Sequence, residues 1–400
     1  MPQSSSTPGL TPLGKVFVLL IIAALCAGGY MLFNKQKPSS AGPSGQPEAD
    51  GSRPPGGKSA TIVFAFGSEK ERWVKWAVTA FAKTAGGGGV TVELKPIGSL
   101  EAARKLAAEG KGTHLWSPAS ATVRDILAAD WQQQHGAKAI LREESLALSP
   151  MVFICWQERY TAFAAKYPTM NFDTVASALN ESTGWGAIAG KPEWGFFKFG
   201  CPDPMASNGG LTTIALMGHH FLKKTQVLTT ADVMNAGFQE WFAKTAAGFT
   251  GMSGSTGTMM REMVLKGPSA YDAVFAYENL AIDYLKGAEG RWGRLQVVYP
   301  TLNMWSEHPC CLLNAEGMTT AQRDAANAFM DFLLSPPAQR QAVEHGFRPA
   351  NPDVPMIGPD SLWTKYADHG LQVQVPQVCA PPQAEAVLNL LTGWQRLKNR

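Results

Sequence analysis

The sequence predicts an α/β fold with a layered, parallel sheet, preceded by a single N-terminal transmembrane helix. Three observations carry this. A short apolar run rich in β-formers at 60–66 and an alternating apolar-polar run at 90–97 are each followed by an amphipathic helix pattern, the alternation expected of a parallel sheet. Residues 16–33 carry no charged side chain and at 1.5 Å per residue span about 27 Å, close to the hydrocarbon core of a bilayer. Residues 34–59, between these two parts, are rich in Pro, Gly and Ser, too poor in apolar surface to fold, and read as a tether.

The apolar stretch follows a short N-terminal tail, 1–15, and has three readings. Ala23, Ala24, Ala27 and Gly28 keep a cleaved signal peptide open. Cys26 would suit a lipoprotein site, but Leu25 stands where a small residue is expected. An uncleaved anchor comes first. Lys15 precedes the span and Lys35 and Lys37 follow it, so the charge count does not favour an outside C-terminus; long domains translocate regardless of so small a bias.

The folded part opens with a buried strand at 60–66. Ser68, with Glu71 three residues on, forms a capping box for the next helix, on which Trp73, Trp76, Ala77, Ala80 and Phe81 recur at helical spacing. A second strand covers 90–97 and a second helix follows with Ser99 as its cap. A third strand ends in Trp116-Ser117-Pro118, and a helix runs on to about Asp130. In such sheets ligands bind beyond the carboxyl ends of the strands, where helix N-termini offer free N–H groups and partial positive charge. Four places fit: Gly67-Ser68, Trp116 to Ser120, Ser207 to Gly210, and Gly254 to Thr258.

Composition excludes some functions. A net charge of +3 with interspersed signs gives no basic stripe for nucleic acid. No CxxC, Cys/His metal spacing, GxSxG, HExxH, Walker or GxGxxG signature stands in a supporting context, so neither a metal, a cofactor nor catalysis is expected. His219 and His220 are adjacent on a helix and point apart; His308 reads as a structural hydrogen-bonder and Arg348 as a surface or lobe-stabilising residue. The cysteines read as small buried residues, with one unassigned disulfide left open.

Among the segments GSEKE (67–71), HLWSPAS (114–120), LALSPMVFICW (146–156), GCPDPMASNGG (200–210), GSTGTMMREMVL (254–265), MWSEHPCCLLN (304–314) and HGFRPANP (345–352), the stretches 200–210 and 345–352 are long, irregular and unexplained by periodicity. Through them the chain resembles bacterial extracellular solute-binding proteins of the type II periplasmic-binding superfamily, in the branch of molybdate- and phosphate-type binders. The resemblance implies two α/β lobes joined by a two-strand hinge: lobe 1 from 60–150 and 277–400, lobe 2 from 151–276, with crossovers at 150–156 and 273–279. A ligand would sit between them, held by Gly67, Ser68, Trp116 and Ser117 from one lobe and Ser207, Asn208, Ser255 and Thr256 from the other, with Tyr277 and Glu278 closing the cleft. Hydroxyl and N–H donors suit an oxyanion, whereas Glu278 argues for a cationic or hydroxylated ligand; both stay open. The expected role is solute capture on the periplasmic or extracellular side of the cell membrane, for an ABC permease. The alternative is a membrane-anchored sensor or assembly component.

Overall fold

The computed structural model describes residues 59–398. The stretch at 16–33 and all of the tether but Ser59 lie outside them. Among the described residues no helix is long and apolar enough to cross a membrane.

Two mixed sheets frame two lobes. In the first, β1 (Ala60–Phe66) lies between β2 (Val90–Pro96) and β3 (Leu115–Ser117), parallel to both; β4 (Ile140–Ser145) is at the far edge. The second hangs on β5 (Ala147–Trp156). Beyond it come β6 (Phe199–Gly200), β7 (Ala273–Tyr277) and β8 (Leu295–Val298). β9 (Leu302–Asn303) leads into β10 (Trp305–Ser306), and β11 (Pro309–Leu313) returns to the first sheet, antiparallel between β3 and β4. β12 (Arg348–Pro349) pairs with β5, and β13 (Gln377–Val378) pairs with β9.

The start of β5 pairs with β10 and β12, and its later residues pair with β7 and β8. Every residue of β5 except Leu148 is buried, which explains its continuous apolar sequence. The predicted crossovers correspond to β5 and β7, paired antiparallel from Met151 opposite Tyr277 to Cys155 opposite Ala273.

Several local expectations change. Residues Ser68–Lys70 form one 3-10 turn, and helix Glu71–Phe81 starts without a side-chain cap. Helix Ser99–Glu109 has Gly98 as its N-cap, and Ser99 Oγ instead accepts from the Ala119 N–H at 3.1 Å. The next helix runs to His135, past the expected end, and stops at Gly136 with φ 64°, the left-handed terminator. The C-terminal helix Ala384–Lys398, expected on lobe 1, packs on the lobe 2 helices Asn208–Leu222 and Ala236–Ala247. Its buried face of Val387, Leu390, Leu391 and Trp394 demands an apolar partner but does not say which lobe supplies it. Cys155, Cys201, Cys310, Cys311 and Cys379 are buried and free; no disulfide forms among the described residues.

Phe153, on β5, has its ring 5.3 Å from Phe172, 6.1 Å from Phe199 and 4.5 Å from Phe275. Phe153→Ala should cost about 3–5 kcal/mol, read as a lowered urea midpoint. An unchanged midpoint would show that β5 is not central to the core.

Candidate functional site

The lobes meet where strands of the first sheet end and helices of the second lobe begin. Leu100 and Glu101 donate their N–H groups to Ala206 O at 3.1 and 3.2 Å, and Gly257 donates its N–H to Ser68 Oγ at 3.2 Å. Such approaches leave no room for side chains: a Cβ on Gly98 would stand 2.7 Å from both Ala206 O and Gly254 O, and one on Gly257 2.8 Å from Ser68 O. Ser120 Oγ donates to Asn208 Oδ1 at 2.5 Å, Asn208 Nδ2 donates to the Tyr277 hydroxyl at 2.8 Å, and the Ser207 and Thr256 hydroxyls lie 3.1 Å apart. Burial, followed by the Glu69 charge, pushes the Tyr277 hydroxyl above its ordinary range, so it stays protonated.

Ser68, Ser207, Asn208, Thr256 and Tyr277 thus share one seam. Ser255 stands at its edge and caps helix Thr256–Lys266, its Oγ accepting from the Thr258 N–H at 3.3 Å. Gly67 ties the ends of β1 and β3 by donating its N–H to Ser117 O at 3.1 Å. Trp116 and Ser117 are neighbours on β3 and so point to opposite faces. Trp116 belongs to the core that includes Leu100, Val123 and Leu127. Glu278 does not close the cleft. Its carboxylate accepts from Arg348 Nε at 2.8 Å and Nη2 at 2.7 Å, from Trp363 Nε1 at 3.1 Å and from the Tyr299 hydroxyl, leaving little of it for a ligand. Arg348 is accordingly buried rather than on the surface.

The seam also holds charges that the sequence reading passed over. Lys70 Nζ lies 2.5 Å from Glu69 Oε1, 3.4 Å from Pro118 O and 3.1 Å from His308 Nδ1, the side chains of Glu69, Lys70 and His308 all being buried. Burial alone would raise the Glu69 carboxyl, but the adjacent Lys70 charge holds it down at about 2. Burial and the Lys70 charge push His308 down to about 4. Neutral His308 accepts from Lys70 at Nδ1, which leaves the proton on Nε2. His308 Nε2, Ser306 Oγ, Ser117 Oγ and Trp116 Nε1 are buried polar atoms without a partner among the described residues, so these segments keep unused hydrogen-bonding capacity. In sequence, Glu69 and Lys70 look like solvated first-turn residues; only the burial of their turn under the second lobe marks them out.

Beside the seam, sharing Ser120 and Asn208 with it, opens a cavity of about 490 Å³ between helices Ala121–His135 and Asn208–Leu222 and the C-terminal helix. That is the size of a small-molecule site. Its residues come from four distant segments, which no motif linked. Among the described residues no group of His, Cys, Asp or Glu is arranged to hold a metal ion.

A family model described as bacterial extracellular solute-binding protein matches residues 62–348. Comparison with curated protein sequences found no match. The sulfate-binding protein SubI from Mycobacterium tuberculosis H37Rv is similar in structure, with a TM-score of 0.53 at 17% identity over 85% of this chain and 98% of that one. A periplasmic thiamin binding protein aligns with a TM-score of 0.60 at 12% identity, covering 86% and 99%. The periplasmic binding protein AfuA from Actinobacillus pleuropneumoniae aligns with a TM-score of 0.55 at 14% identity, covering 85% and 99%. At these identities the likeness is one of fold.

Lys70→Met leaves Glu69 charged, buried and unpaired, and should cost about 3–5 kcal/mol, most of it recovered in Lys70→Met/Glu69→Gln. Equal urea midpoints for the single and double variants would refute the coupling. Acid should destabilise the fold in two stages. Between pH 6.5 and about 4 the unfolded chain binds a proton at His308 that the folded chain refuses. From pH 4.5 down to about 2 the same holds for the Glu69 carboxylate. His308→Gln should flatten the upper stage in a midpoint-versus-pH series; an unaltered slope there would assign it to other groups.

Proposed function

The chain belongs to the bacterial extracellular solute-binding protein family, and from this we propose that it captures a small molecule between its two lobes and delivers it to an ABC-type importer. The family is one of binders rather than enzymes. The observation that carries the reading for this chain is the seam itself. Loops from both lobes meet there through glycines and hydroxyls, with a cavity of about 490 Å³ alongside. Contacts made only when the lobes close let a ligand that bridges them shift the equilibrium toward closure. Of the similar structures, one is a sulfate-binding protein, one a thiamin binding protein and one is bound to fructose-6-phosphate, so the fold by itself does not restrict the charge of the ligand. In this reading the stretch at 16–33 keeps the binding domain at the membrane.

A thermal-shift screen of the full-length chain should find a ligand among oxyanions, sugars, amino acids and organic amines. At a hundred times its dissociation constant a ligand adds about 2.7 kcal/mol of stability. Gly98→Val, which forces a side chain into the seam, should weaken that ligand and raise the radius of gyration in small-angle scattering. A well-folded chain that binds none of the panel, and shows no change in scattering on Gly98→Val, would count against capture by closure.

A further inference from the structure

The cavity beside the seam has apolar walls and an acidic lining. Ile126, Leu211, Met304, Trp305, Val387 and Leu388 line it, and Leu388 is 60% exposed at its rim. Asp125, Asp130 and Glu307 line it too, with no lysine, arginine or histidine among the described residues. Asp125 is paired with Arg124 Nε at 2.6 Å. Asp130 forms no ion pair among the described residues. Glu307 Oε2 accepts one long hydrogen bond, 3.4 Å, from the Ala121 N–H. Burial pushes the Glu307 carboxyl above its usual range, partly opposed by that backbone N–H and by Arg124.

Two of the four helix starts that could build an oxyanion site therefore already have one of the protein's own carboxylates beside them. Glu69 lies in the turn that opens helix Glu71–Phe81, and Glu307 stands at the first residue of helix Ala121–His135. A second anion would meet these carboxylates at short range in a poorly screened space. A neutral apolar ligand would strip water from Glu307 and leave its charge without a partner. A cation with an apolar body satisfies both parts of the wall: its charge pairs with Glu307, and its body covers Leu211, Met304 and Val387.

We propose that this cavity is the ligand site and that it selects a small organic cation, an amine or quaternary ammonium carrying an apolar group. The assignment rests on the capture reading and names the chemical class of its ligand.

Three probes of similar body and different charge test it by calorimetry on the full-length chain: 2-phenylethylammonium, 2-phenylethanol and 3-phenylpropionate. The ammonium should bind at least about tenfold more tightly than the alcohol, the scale of one charge-assisted hydrogen bond, and the carboxylate should bind weakest. Glu307→Gln should remove that preference and leave the affinity for the alcohol unchanged. Leu388→Lys, at an exposed position that cannot unfold the chain by overpacking, should weaken the ammonium and leave the alcohol nearly as before. Equal binding of ammonium and alcohol, preference for the carboxylate, or no binding by any probe overturns the class. If sulfate or phosphate binds instead and is lost in Gly98→Val, capture stands and the cation assignment alone falls. If the ammonium binds without any compaction in scattering, the class stands and capture by closure falls.

Discussion

Both lobes depend on one strand. β5 gives its first residues, from Ala147 to Pro150, to β10 and β12, and its later residues to β7 and β8. A side chain on one part of the strand and a backbone pair on the other are thus held in one rigid register. Asn303 strengthens the junction, accepting from the Met151 N–H at 3.0 Å and donating to Met151 O at 2.8 Å, both groups buried. A strand buried on both faces tolerates neither polar substitution nor a register slip, because a slip of one residue would reverse every side chain.

Lobe contact then follows from backbone geometry more than from side chains. Gly98, Gly254 and Gly257 bring main chains of the two lobes together, and the hydroxyls of Ser68, Ser120, Ser207 and Thr256 satisfy polar groups that closure takes out of water. The buried Glu69–Lys70 pair sits under this contact. Its attraction offsets a large desolvation cost only because Lys70 finds acceptors in Glu69, Pro118 O and His308. His308 adopts φ 45°, in the left-handed region, to present that acceptor, a local strain that the pair and the Leu146 N–H bonded to its carbonyl hold in place.

A second buried pair, Glu278 with Arg348, braces the far side of β5. Arg348 lies on β12 opposite Leu148, and its Nη2 also donates to Gln372 O at 2.8 Å. This explains the irregular stretch 345–352. Gly346, with φ 78°, packs against Asn279 and Ile282, Arg348 reaches Glu278, and Asn351 accepts from the Asp353 N–H at 2.9 Å. The stretch 200–210 has a similar logic, since Ala206 O receives two N–H groups from the other lobe while Asn208 bridges Ser120 and Tyr277.

Much of the framework was legible in the sequence. Strands β1, β5 and β7 follow from apolar runs of strand length, β2 from alternation, and helix 71–81 from the spacing of Trp73, Ala77 and Phe81, because burial of one face imposes a period on the residues that form it. The loops at 67–68, 207–210 and 254–258 were marked by glycine and hydroxyl residues where strands give way to helices. The partners of those residues were not marked. Ser68 and Ser99 each looked like a helix cap, yet their oxygens accept from Gly257 and Ala119, which lie 189 and 20 residues away. Glu278 looked like a cleft residue until Arg348 and Trp363 were seen around it. Local sequence determines which segments are strand, helix or turn, since propensity, capping and periodicity act over a few residues. Which charges are buried, which hydroxyls are spent and where an acidic apolar cavity opens were decided only by tertiary structure, because these depend on groups brought together from segments far apart in the chain.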